Sequence, residues 1–239
     1  MIDVIHDFWP RALPALVTPF DDRGEIDLDA HHHNLSLLHE RGSRGVLIGG
    51  STGEGPLLEP GDRRKLVAEA RKVQPGGTII CGINAESVRQ ATAQIDEAAM
   101  GGADLALVVT PTTVSRGRLP FVERFYGQVA EESSIPILIY VVPGITGWVM
   151  PTDSVGRISE HPNIVGIKDS TGAPERLEVL AGPIESGFVA YAGTSRALLE
   201  SGRRGALGAI TASGNYALSD ASLAVTGDAL AQDRLTALT

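Results

Sequence analysis

The chain has 239 residues, of which 43% are hydrophobic and 21% charged, a formal net charge of −9 and one cysteine, Cys81. That length suits one large domain with a sizeable core, and the acidic balance argues against nucleic acid or an anionic membrane as the main partner. A single cysteine excludes an intrachain disulfide, which fits a reducing cytoplasm; residues 1–7 lack a basic then apolar leader pattern, and no apolar run approaches the ~20 residues of a membrane span.

Along the chain, short apolar runs read as strands at residues 12–17, 46–49, 79–82, 105–109, 137–142, 164–168, 188–192 and 206–211. Between them lie segments with helical apolar spacing, such as Leu66, Ala70 and Val73, or Val122, Phe125 and Val129. Pro60, Pro120 and Pro151 stand near expected helix starts, and Gly42, Gly45 and the Gly101-Gly102 pair near expected stops. No linker or composition shift divides the chain. Eight alternating units predict an α/β protein, a single-domain (β/α)8 barrel over residues 1–239. The last helix is expected over about residues 218–235, leaving little or no C-terminal helical extension.

In such barrels the chemistry sits at the C-terminal ends of the strands. Lys168 stands at the end of the sixth run. It is one of only three lysines, against 17 arginines. Lys65 and Lys72 fall in a charged helical segment and read as solvated surface. An ammonium at the end of a buried strand must pair, reach water or lose its proton. Lysine, unlike arginine, can deprotonate and act as a nucleophile. Two readings stand: a Schiff-base lysine, or a structural one paired with Asp169 or another carboxylate. Tyr140, one strand earlier, is either a core tyrosine or a proton carrier beside that amine. The turn from Gly49 to Gly55 carries glycines and the hydroxyls of Ser51 and Thr52, which suit a carboxylate or small anion. It lacks the Gly-Lys-Ser/Thr ending of a phosphate loop and the spacing of a dinucleotide fingerprint, and it can also be a plain connector. His31-His32-His33 reads as a surface helix, because consecutive helical residues fan out by about 100° and cannot close on one metal. Arg11, Arg116 and Arg118 have two readings, as partners of a substrate carboxylate or, the commoner case for arginine, as surface charges.

Three motifs then coincide. Gly50-Ser51-Thr52-Gly53-Glu54, Tyr140-Val141-Val142-Pro143 with Thr146-Gly147, and Gly166-Ile167-Lys168-Asp169 resemble the dihydrodipicolinate synthase / N-acetylneuraminate lyase family, over roughly residues 11–230. The resemblance implies a cofactor-free, metal-free class I aldolase on a (β/α)8 barrel, acting on a 2-oxo acid with pyruvate as donor or product. It implies that Lys168 forms the imine, that Tyr140 moves protons with Thr52 beside it, and that Gly50, Ser51, Thr52, Gly53 and Ile210 bind substrate. It also implies a homo-oligomer, dimer or tetramer. Two departures weigh against the synthase reaction itself. Ile145 stands where synthases usually carry an arginine for the second substrate, and Thr112-Thr113 stand where they carry a tyrosine shared across subunits. Arg116-Gly117-Arg118 and the run from His161 to Ser170 look nearest the 4-hydroxy-2-oxoglutarate aldolase branch. Alternatives are a synthase-like condensation, dehydration of a 2-keto-3-deoxy sugar acid, a silent barrel that binds an oxo acid or a protein, and a phosphate-handling barrel using Gly193-Thr194-Ser195 and Ser213-Gly214.

Overall fold

A computed structural model describes residues 9–239; the leader reading of residues 1–7 lies outside them. Eight strands form one parallel sheet: β1 (Ala12–Pro14), β2 (Gly45–Ile48), β3 (Thr78–Ile83), β4 (Leu105–Val109), β5 (Ile137–Val141), β6 (Ile164–Asp169), β7 (Val189–Ala192) and β8 (Gly208–Thr211), in the order β1-β8-β7-β6-β5-β4-β3-β2. A bridge between Ala15 and Leu47 closes the ring, with Leu16 N–H donating to the Leu47 carbonyl at 2.9 Å. The barrel forms because every strand is apolar on both faces, which only a sheet covered on both sides tolerates. All eight predicted runs are strands, with shifted ends. The first is short: its ladder with β8 ends at Pro14 opposite Thr211, and Ala15 then pairs with Leu47 on the other side.

Between the strands run α1 (Leu28–Glu40), α2 (Asp62–Val73), α3 (Val88–Gly101), α4 (Leu119–Glu132), α5 (Pro143–Thr146), α6 (Thr152–Ile158), α7 (Arg176–Val179), α8 (Ala181–Glu185), α9 (Leu198–Arg203), α10 (Leu218–Val225) and α11 (Ala229–Leu238). Asp27, Ser87 and Asp228 accept from backbone N–H groups of the first turns of α1, α3 and α11, satisfying donors that a helix start leaves free. Gly42 and Gly102 follow α1 and α3 with φ of 89° and 96°, as expected of helix stops. The helix expected over residues 218–235 is two, α10 and α11. Gly227, with φ 118°, breaks it, and Asp228 starts the second.

Strand alternation divides the core in two. Outward residues such as Ile48, Ile79, Val108, Ile139 and Ile167 pack under the helices. Inward residues, among them Leu13, Leu47, Ile80, Leu107, Leu138 and Ile210, fill the barrel. Each such buried side chain contributes about 1.5–3 kcal/mol. At the N-terminal end Trp9 packs on Tyr191, ring centroids 6.3 Å apart, and Tyr191 donates to the Pro10 carbonyl at 2.9 Å. Gly208 makes room there, since a Cβ on it would stand 2.8 Å from the Tyr191 ring.

One reading needs correction, and one buried charge was not anticipated. His31 is buried at 1% exposure, with Nε2 3.1 Å from the Leu66 carbonyl, rather than on the surface; His32 pairs with Glu69 at 2.7 Å. Arg63, in the charged stretch that includes the surface residues Lys65 and Lys72, is 3% exposed.

Candidate active site

β5 and β6 pair in register so that Tyr140 stands opposite Lys168. Both face the barrel interior near its C-terminal end, because alternation places residues 166, 168 and 170 on one side of β6. Lys168 is 4% exposed and Tyr140 6%. Lys168 Nζ donates to the Tyr140 hydroxyl at 3.4 Å and lies 4.4 Å from the centre of its ring.

Asp169 points the other way. Its carboxylate accepts from Arg176 Nε at 2.9 Å and from Thr171 N–H at 2.8 Å, and Arg176 is itself tied to the Met150 carbonyl. No ion pair reaches Lys168 among the described residues. The structural reading, a lysine neutralised by Asp169, is thereby removed. Burial pushes the Lys168 amine below the ordinary lysine value, and the opposing pull of Tyr140 does not restore it. Burial pushes Tyr140 upward, but the Lys168 charge and the Ser51 hydroxyl lead the opposing pulls that leave the phenol below its ordinary value. The pair is built to exchange a proton: an amine that loses one readily beside a phenol whose anion is favoured.

The turn after β2 lies beside this pair. N–H groups of Gly53 and Gly55 donate to the Gly50 carbonyl, and that of Glu54 to Ser51. Among the described residues no hydrogen bond engages the N–H groups of Ser51 and Thr52, which leaves two donors for an anion. Glu54 takes φ 53°, in the left-handed region. Gly53 is required by a close approach, since a Cβ there would stand 2.5 Å from the Leu16 carbonyl oxygen. Thr18 donates to the Gly53 carbonyl at 2.7 Å. Of the expected substrate residues, Gly50, Ser51, Thr52 and Gly53 therefore belong to one turn near Tyr140. Ile210 sits apart from them, fully buried in the interior cluster that also contains Tyr140.

The remaining candidates divide by position. Arg11 immediately precedes β1, at the opposite end from Lys168, and donates to the Leu207 carbonyl. Arg116 and Arg118 are exposed, and Arg116 Nη1 would stand 3.1 Å from a Cβ on Gly147, just past Ile145. Ile145 is 54% exposed. Thr112 and Thr113 are pinned by Glu86, whose carboxylate accepts from both their N–H groups at 3.0 Å and from Thr112 Oγ1 at 2.8 Å. At the β7 and β8 mouth, Thr211 Oγ1, Ser213 Oγ and Ser195 Oγ form a chain with steps of 2.9 and 2.8 Å. Depressions of about 330 and about 460 Å³ open at the N-terminal end of the strands and include neither Lys168 nor Tyr140. Among the described residues no three His, Cys, Asp or Glu side chains are grouped to hold a metal.

Sequence reasoning missed Ser170, and named Gly193 only as part of a phosphate loop, not as a neighbour of Lys168. Ser170 Oγ is buried and closes no hydrogen bond. A Cβ on Gly193 would stand 1.9 Å from that oxygen and 3.1 Å from Lys168 Cε, so both side chains flank one point. The alternation that places Lys168 in the pocket also places Ser170 there, and was signal enough to find it.

Comparison with known proteins identifies the family. The dihydrodipicolinate synthetase family matches residues 9–226. The 4-hydroxy-tetrahydrodipicolinate synthase of Xylella fastidiosa is 34% identical over 205 residues, 85% of this chain and 67% of that protein. The enzyme of the same name from Pseudomonas aeruginosa is 32% identical over 239 residues, covering 95% and 80% of the two chains. The chloride-inhibited dihydrodipicolinate synthase of Acinetobacter baumannii, solved with pyruvate, superposes with a TM-score of 0.86 at 30% identity, over 95% of this chain and 79% of that one. That of Aquifex aeolicus gives 0.86 at 27%, over 96% and 80%. A family match across most of the chain, on an eight-stranded barrel with a buried lysine beside a tyrosine, establishes that the chain belongs to the dihydrodipicolinate synthetase family, whose members are Schiff-base-forming lyases that act on pyruvate.

Proposed function

We propose that Lys168 is the Schiff-base residue and that the chain cleaves a 4-hydroxy-2-oxo acid to pyruvate and an aldehyde, reversibly. The observation that carries this is the buried Lys168 amine, paired with no carboxylate among the described residues and 3.4 Å from the Tyr140 hydroxyl. The neutral amine adds to the C2 carbonyl of the 2-oxo acid. Tyr140 protonates the resulting hydroxyl, water leaves, and a protonated imine remains. That imine is an electron sink. Tyr140, now a phenolate, takes the proton of the C4 hydroxyl, the C3–C4 bond breaks, and its electrons move into the imine to give an enamine. The aldehyde leaves, C3 is protonated, and water releases pyruvate and the free amine.

The N–H groups of Ser51 and Thr52, presented by Gly50 and Gly53, hold the C1 carboxylate. Thr52 assists Tyr140 in proton movement, and Ile210 forms apolar lining below the reacting carbons. Ile145 supports cleavage over the synthase condensation, because that helix offers no cation for the second substrate. Arg116, unpaired and hanging over Gly147, supports a substrate with a second anionic group.

Pyruvate release from a panel of 4-hydroxy-2-oxo acids, with and without a second carboxylate, tests this reading. The dicarboxylate is expected to be cleaved fastest. A protein that releases pyruvate from none of them, yet condenses pyruvate with an amino-aldehyde, contradicts it.

A further inference from the structure

Arg63 has no role in the chemistry above, and burying its charge is costly. Its guanidinium is 3% exposed. Burial holds its pKa below the ordinary arginine range, although a guanidinium stays charged in a protein. No carboxylate pairs with it among the described residues. Asp62 accepts from Glu59 N–H and from Lys65, and Glu97 accepts from Gly61 N–H. A buried charge of this kind persists when something else depends on its donors.

Those donors go to two carbonyls. Nη2 donates to Gly55 at 2.7 Å and Nε to Gly82 at 3.2 Å. Gly55 ends the turn that carries Ser51 and Thr52, and Gly82 lies near the end of β3. The Gly55 N–H in turn donates to the Gly50 carbonyl at 3.0 Å. Asn84 Nδ2 holds the Gly49 carbonyl at 3.2 Å. The packing allows no slack: a Cβ on Gly55 would stand 1.8 Å, and one on Gly82 2.3 Å, from the Gly49 carbonyl oxygen. Arg63 is thus the end of a hydrogen-bonded chain that runs through the Gly55 peptide to the residue just before Ser51.

We infer that Arg63 is a positioning residue that holds the turn in its carboxylate-binding shape by clamping it to β3. This rests on the Schiff-base reading above. The fork holds its two donors, Nε and Nη2, at a fixed spacing on the two carbonyls; a lysine in its place keeps the charge but carries its donors on one rotatable ammonium nitrogen.

Borohydride trapping rates, measured across a range of pyruvate concentrations and repeated with methyl pyruvate, which lacks the carboxylate, test this. Arg63→Met is expected to raise the half-maximal pyruvate concentration about tenfold or more, the loss of charge-assisted hydrogen bonds. The maximal rate and the methyl pyruvate rate should stay near those of the unaltered protein. Arg63→Lys should fall between, and it carries the test if Arg63→Met fails to fold. An unchanged pyruvate dependence in the folded variant overturns the inference. So does an equal loss with both compounds, which marks a merely structural residue. If the unaltered protein forms no adduct at all, the Schiff-base reading fails and this inference with it; a normal adduct there with an unchanged variant profile defeats this inference alone.

Discussion

The two ends of the barrel are built on opposite principles. At the N-terminal end Trp9 and Tyr191 fill the bore, Gly208 makes room for the Tyr191 ring, and the Tyr191 hydroxyl is satisfied by a carbonyl. At the C-terminal end the groups are polar and, among the described residues, partly unsatisfied: an amine without a counter-charge, a buried Ser170 hydroxyl without a partner, and two amides of the Gly50–Gly53 turn without acceptors. One end maximises contact and supplies stability. The other holds unmet hydrogen bonds ready for a ligand. A substitution at one end should therefore change folding, and at the other, chemistry.

The largest separation is expected at Lys168. Lys168→Ala should abolish pyruvate release while circular dichroism stays unchanged, and a variant retaining more than a trace of activity contradicts the role given to the amine. Tyr140→Phe should slow turnover about 10²–10⁴-fold, the usual worth of a positioned proton carrier, while leaving the melting temperature nearly unmoved. At the other end Tyr191→Ala should cost about 3–5 kcal/mol in denaturant unfolding, as truncations of large buried aromatics do. If Tyr191→Ala costs activity in a protein that melts normally, the division between the ends is wrong.

Smaller effects sharpen the same contrast. Because burial lowers the Lys168 pKa, the rise of kcat/KM with pH should fall below the ~10.4 of a free lysine. The sign for stability follows. Below that value the unfolded chain binds a proton that the folded amine resists, so Lys168 destabilises the fold, and increasingly so as the pH falls toward its folded pKa. Lys168→Met should then raise the melting temperature by a few degrees at neutral pH, about 2–4 °C per kcal/mol, with the gain shrinking in alkali. The smallest expected effect is at Cys81. Burial pushes its thiol up to about 12, so a thiol reagent at pH 8 should label it only on unfolding.

Much of this was legible in the chain. Eight apolar runs fixed the strand count, because parallel strands covered on both faces carry no polar alternation to blur them. Lys168 was legible because a lone cation at a strand end is physically awkward. What separated its two readings was not local: Asp169 is adjacent in sequence, yet alternation turns it to the other side of β6, where Arg176 takes it. Arg63 was hidden for the same reason. A charged helix reads as solvated, and only the packing of α2 against the β2 turn reveals that one of its arginines points inward. The broken last helix was missed although Gly227-Asp228 is a helix stop followed by a cap, because the apolar spacing continues through it.

The account stands or falls on one covalent bond. Incubation with pyruvate and sodium borohydride, followed by intact and peptide mass measurement with Lys168→Ala as control, should show one reduced adduct confined to the peptide containing Lys168 and absent from the variant. A folded protein that forms no adduct with pyruvate or larger 2-oxo acids, or one that forms it on another lysine, contradicts the assignment of Lys168.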